Sequence, residues 1–126
     1  MNSKLNVREL LVESALDETL RVQKSRLRNI SESLKKMQSS INTTKSLLEN
    51  DSHMIDSPKQ TIVECSRMFK IARANLKEAA LDINSSERFE KISKAEDAMD
   101  LIESLVSDIE SNLHVIVDHL EESCSV

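Results

Sequence analysis

Residues 62–109 read IVECSRMFKIARANLKEAALDINSSERFEKISKAEDAMDLIESLVSDI, and this stretch decides the fold. Ile62, Cys65, Phe69, Ala72, Leu76, Ala79 and Ile83 recur three and four residues apart, and the pattern restarts at Ile92, Ala95, Met99, Ile102, Val106 and Ile109. That alternation is the heptad spacing that lays one apolar seam along a helix. Between the seams stands Asn84-Ser85-Ser86-Glu87. There Asn or Ser offers a side-chain oxygen to the first free amides of a new helix, and Glu87 sits in its first turn. A break this short folds the later helix back along the earlier one. Pairing them about the break sets Ala79 opposite Ile92, Leu76 opposite Ala95, Ala72 opposite Met99, Phe69 opposite Ile102 and Cys65 opposite Val106. Large side chains meet small or medium ones, so the layers interdigitate.

Outward from this hairpin the pattern continues. Upstream, Leu16, Leu20, Gln23, Leu27, Ile30, Leu34, Met37, Ile41, Thr44 and Leu48 form a third seam, and downstream Leu113, Ile116 and Leu120 prolong the last one. Residues 50–58, NDSHMIDSP, interrupt the first and second seams. Ser57-Pro58-Lys59-Gln60 combines a capping Ser, a Pro at the first helical position and Gln at the third. The expected helices are therefore about 7–49, 58–83 and 86–123, in a single helical domain covering residues 1–126. The expected fold is all-α: an antiparallel three-helix bundle with coiled-coil-like heptad seams and long, unequal helices. Pairing the first two helices sets Leu27 opposite Ile83, Leu34 opposite Leu76, Met37 opposite Ala72 and Ile41 opposite Phe69. A four-helix variant follows if the first helix bends, for which Ser39–Thr44 has the weakest helix propensity.

Composition agrees. Among 126 residues there is no Gly, Trp or Tyr, two Phe and one Pro. Sheets need Gly for tight hairpins and bulges, and phosphate-binding loops need it for close backbone approach, so both classes are excluded. Net charge is −5, but residues 21–36 carry Arg21, Lys24, Arg26, Arg28, Lys35 and Lys36 against Glu32 alone, whereas residues 95–126 hold nine acids and no Lys or Arg. Overall acidity and the scarcity of aromatic side chains argue against nucleic acid as the main ligand. The basic stretch, with Arg21, Lys24, Arg28, Lys35 and Lys36 as its charged surface, suits an acidic protein partner. The opening MNSKLNVREL has no long apolar run and no span crosses a membrane, so a cytoplasmic or nuclear location is expected.

Chemistry-bearing constellations are few. Cys65 lies in the seam, and Cys124 is some 18 residues beyond Val106, about 27 Å by helix rise, so no disulfide is expected. Glu110, His114 and Asp118 share one ridge of the third helix, which reads as a solvated face and not as a metal site. Lys70, Arg73 and Lys77 form a basic ridge expected to pair with acids of the third helix. A bundle of this length encloses little beyond its own side chains, so neither an enzyme nor a cofactor or small-molecule substrate is expected.

Two resemblances centre on residues 60–83. Ser66-Arg67-Met68 followed by Leu76-Lys77-Glu78-Ala79-Ala80-Leu81-Asp82-Ile83 resembles tubulin-binding cofactor A, a small three-helix chaperone of β-tubulin. The pattern Cys65, Phe69, Ala72, Leu76, Ala79 is similar to the third helix of plant invertase and pectin methylesterase inhibitors, which are secreted helical bundles with two disulfides. These imply a monomeric folding cofactor or a helical-bundle inhibitor. Both fall on one amphipathic helix and share its heptad spacing, and neither is taken as a family assignment.

Unequal helix lengths shape the functional expectation. Residues 5–24 and 110–123 have no partner on the short second helix, leaving overhangs of about 30 Å and 20 Å. They carry Leu5, Leu10, Leu16 and Leu20 at one end and Leu113, Ile116 and Leu120 at the other. Apolar stripes of this kind are buried by something, at roughly 25 cal/mol per Å². The expectation is a non-enzymatic coiled-coil interaction subunit, of the cytoskeletal, kinetochore or vesicle-tethering kind. These seven residues would anchor a helical partner or a second copy.

Overall fold

The structure, a computed structural model, describes residues 7–124. It is an all-α three-helix bundle: α1 (Val7–Leu48), α2 (Asp56–Leu81) and α3 (Ser85–Cys124). A 3₁₀ turn, Glu49–Ile55, joins the first two. All three helices pack on one another, α2 with α3 most extensively. α1 and α3, each antiparallel to α2, therefore run parallel side by side.

The core follows the seams. Ile41, Cys65, Ala72, Ala79, Ala95, Met99, Ile102 and Ile109 are wholly buried. At the α2–α3 turn the expected cap forms: Asn84 Oδ1 accepts the Glu87 amide at 3.1 Å. Asp82 Oδ1 accepts the Asn84 amide at 3.0 Å and its other oxygen pairs with Lys91 at 2.9 Å. The Asn84 amide first, then Lys91, holds the Asp82 carboxyl below the usual carboxylate range. Lys91 also approaches Glu78 at 3.8 Å, which fits the register expected for α2 and α3.

The α1–α2 connection differs from expectation. It is a compact turn in which Glu49 takes a positive φ of 48° and Asp51 leaves helical geometry. α2 begins at Asp56, and Ile55 precedes it with no side-chain cap, so Ser57 does not cap the helix. Pro58 is buried within the first turns of α2. The groove between α1 and α2 places Leu34 and Lys35 beside Phe69, Lys70 and Arg73. Leu34 is thus level with Phe69 and not with Leu76, a shift of roughly two helical turns, about 10 Å. The shortened reversal is the physical reason. α1 is a single uninterrupted helix through Ser39–Thr44, so the four-helix variant does not form.

The overhangs also close differently. Because α3 lies parallel to α1, the lower part of α1 packs along the start of α3, where Leu16 and Thr19 face Ile92 and Ser93. At the upper end Ile55 is buried and Met54 packs against the core. One polar cost persists in the α1 seam: Gln23 Oε1 is buried without a hydrogen-bond partner.

Candidate interaction surfaces

Of the seven apolar residues singled out as partner anchors, Leu16 and Leu20 are 8% and 6% exposed, and Leu113 and Ile116 are equally buried. These four belong to the chain's own core, because the lower part of α1 packs along the start of α3 and the upper part of α1 meets α3 again beside Leu113. Leu120 is half-buried against that core. Leu10 is 46% exposed, and Leu5 lies outside the described residues, as does the side chain of Cys124.

What stays exposed gathers at the lower end. Val7, Leu10, Leu11 and Val12 on α1, Leu81 and Ile83 where α2 ends, and Phe89 at the start of α3 are all open to solvent. Val12 is the hinge of this patch, since it borders one hollow with Ile83 and another with Phe89. Ile83, expected in the α2 seam, is 95% exposed because α2 ends at Leu81 and Ile83 falls in the turn. Phe89 is 65% exposed. It stands outside every seam, and as one of only two Phe residues in the chain it was the signal that points to this end. At about 100° per residue, Val7, Leu11 and Val22 project from the side of α1 opposite Leu16 and Leu20. A helix with apolar side chains on both faces lacks a neighbour on one of them.

Charge divides the bundle lengthwise. Arg26 bridges the furrow between α1 and α3, pairing with Asp100 at 2.6 Å and with Glu103. Burial alone would lower the Arg26 pKa, but these two carboxylates outweigh it and raise it. Arg21 pairs with Glu18 at 2.5 Å, whereas Lys24, Arg28, Lys35 and Lys36 are exposed on α1. Lys70, Arg73 and Lys77 do not pair with acids of α3; Lys70 and Arg73 border the α1–α2 groove. Higher up, α1 and α3 enclose a second groove of about 490 Å³, with Met37, Leu47, Leu113 and Val117 along it.

Little of this is equipped for chemistry. Burial, and then the neighbouring Glu64, push the Cys65 thiol up to about 11, so it is a neutral core side chain. His114 and Asp118 form an exposed contact at 3.8 Å. Among the described residues no group of three His, Cys, Asp or Glu side chains is placed to hold a metal ion. No described helix is long and apolar enough to cross a membrane. Comparison with protein families, with curated proteins and with solved structures finds no match to this chain.

Proposed function

We propose that the chain is a non-enzymatic helical-bundle interaction subunit of a larger assembly of the cytoskeletal, kinetochore or vesicle-tethering kind, acting in the cytoplasm or nucleus. One observation carries this reading. Seven of the fourteen large apolar side chains left exposed among the described residues lie at the lower end, on three converging elements. Val12 shares one hollow with Ile83 and another with Phe89, and covering such apolar surface releases water at roughly 25 cal/mol per Å², so a helical partner or a second copy gains most by docking there. Leu10 remains an anchor in this reading, joined by Val12, Ile83 and Phe89, while Leu16 and Leu20 act from beneath as the rigid support.

Sedimentation equilibrium across the micromolar range tests it. Self-association is expected, and Ile83→Glu with Phe89→Glu is expected to return monomer with unchanged helix content, because neither side chain is part of the core. A chain that is monomeric throughout, and whose lower end takes up no apolar dye that the double variant fails to take up, overturns the reading.

A further inference from the structure

The exposed cations of this acidic chain concentrate on another face, independent of the lower end. On α1, Lys24, Arg28 and Lys35 share one side by their spacing of four and seven residues, and on α2, Lys70, Arg73 and Lys77 do so by three and four. Lys35 from the first row and Lys70 and Arg73 from the second line the groove between α1 and α2, together with Leu34 and Phe69, and Lys24, Arg28 and Lys77 continue the rows along their helices. Among the described residues, Lys24, Arg28, Lys35, Lys70 and Lys77 take part in no ion pair. At the margin Arg21 and Arg67 are already matched by Glu18 and Glu64. The acids that form inter-helix pairs are held elsewhere: Asp100 and Glu103 by Arg26, Asp17 by Arg88, and Asp82 and Glu78 by Lys91. A chain of net charge −5 has thus brought Lys35, Lys70 and Arg73 together at one groove without an ion pair, with Glu32 the one acid within the α1 row. Such rows repel, and a local rule broken without internal compensation marks a surface shaped for something outside the chain.

We propose that the α1–α2 groove binds an acidic amphipathic segment of another protein, its carboxylates meeting the two basic rows and an apolar side chain resting on Leu34 and Phe69. The groove's chemistry favours this occupant over nucleic acid. Arg73 lies over the Phe69 ring, 5.7 Å from its centroid, so that face is not open to a base. The α1 row from Lys24 to Lys35 is about 16 Å long, and a phosphate backbone running past it meets an acidic molecule.

The test is fluorescence anisotropy at low salt with a labelled peptide of Glu and Leu, the Leu residues at heptad spacing. Binding that weakens with salt is expected. Lys35→Glu with Lys70→Glu is expected to weaken it roughly thirtyfold, the loss of two exposed pairs at the upper end of their usual strength. Lys94→Glu, on α3, should leave binding unchanged. Both altered lysines in the groove are exposed, and circular dichroism melts verify that the fold is kept, with Lys70→Glu alone as a second variant. Absent binding, equal loss in Lys94→Glu, or undiminished binding of a peptide with Ser in place of Leu overturns the proposal. So does tighter binding of an oligothymidylate of equal charge or of phosphatidylserine vesicles.

Discussion

Arg88 Nε donates to the backbone carbonyl of Ala79 at 3.1 Å, fastening the first turn of α3 to the last turns of α2. The same guanidinium pairs with Asp17, so one side chain joins all three helices at the lower end. Its two contacts differ in weight. Asp17 is two-thirds exposed and Arg88 nearly buried, so the ion pair is screened while the bond to Ala79 is not. Asp17→Asn is expected to cost less than about 1 kcal/mol. Arg88→Ala leaves the Ala79 carbonyl without its side-chain partner and is expected to cost about 2 kcal/mol. Urea denaturation of the two variants checks the order; equal losses would show that the ion pair, and not the carbonyl, carries the contact.

Leu10 and Leu16 lie less than two turns apart on α1 yet belong to different surfaces. Leu16→Ala removes a buried side chain from the seam facing α3 and is expected to cost 2–5 kcal/mol, about the usual range for buried Leu to Ala. Leu10→Ala, at a half-exposed position, is expected to stay within about 0.5 kcal/mol for the isolated chain. Thermal unfolding of the dilute protein separates them. Comparable destabilisation by both would mean that Leu10 is also packed in the chain's own core.

That contrast shows what was legible in the sequence and what was not. Heptad spacing identifies Leu16, Leu20, Leu113 and Ile116 as seam residues, and they are seam residues. Assigning them to a partner came from counting only antiparallel neighbours, which omits the parallel contact of α1 with α3. Register between α1 and α2 was harder for a different reason. A heptad seam slid along another keeps meeting apolar residues, so Leu34 fits opposite Leu76 or Phe69 alike, and only the connection decides. The connection carries no glycine to announce its turn. Ser57-Pro58 imitates a helix start that the chain does not use. The basic row of α2 was visible as a row; its position beside Lys35 and not beside α3 depends on that same register.

Cys65 is predicted to be unreactive in the folded state. It is wholly buried, and its thiol is raised from 9.0 to about 11, so both access and thiolate are lacking. Maleimide labelling at neutral pH should modify Cys65 only after denaturation. The shift also has a stability consequence of definite sign. A folded pKa above the unfolded one means that the folded chain holds the proton more tightly. Stability from this group is then complete below about 9 and is lost as pH rises through about 11, some 2–3 kcal/mol at most. Cys65→Ala should flatten that alkaline decline in urea midpoints. A decline of the same steepness in the variant would place its origin elsewhere.

Glu49 turns the chain from α1 into the 3₁₀ segment with φ of 48°, a conformation that glycine adopts freely and that crowds the Cβ of any other residue. With no glycine in the chain, the shortest reversal is made at a cost of about 1 kcal/mol. Glu49→Gly relieves that crowding but gives the unfolded chain more freedom, so the expected net gain is about 0.5 kcal/mol. The melting temperature should rise by roughly 2 °C. Glu49→Ala keeps the Cβ and should bring no such gain, which separates relief of the backbone from removal of a charge. If alanine stabilises as much as glycine, the carboxylate at the C-terminal end of α1 is the unfavourable group, through its repulsion by the helix dipole. The backbone account of the turn would then fail.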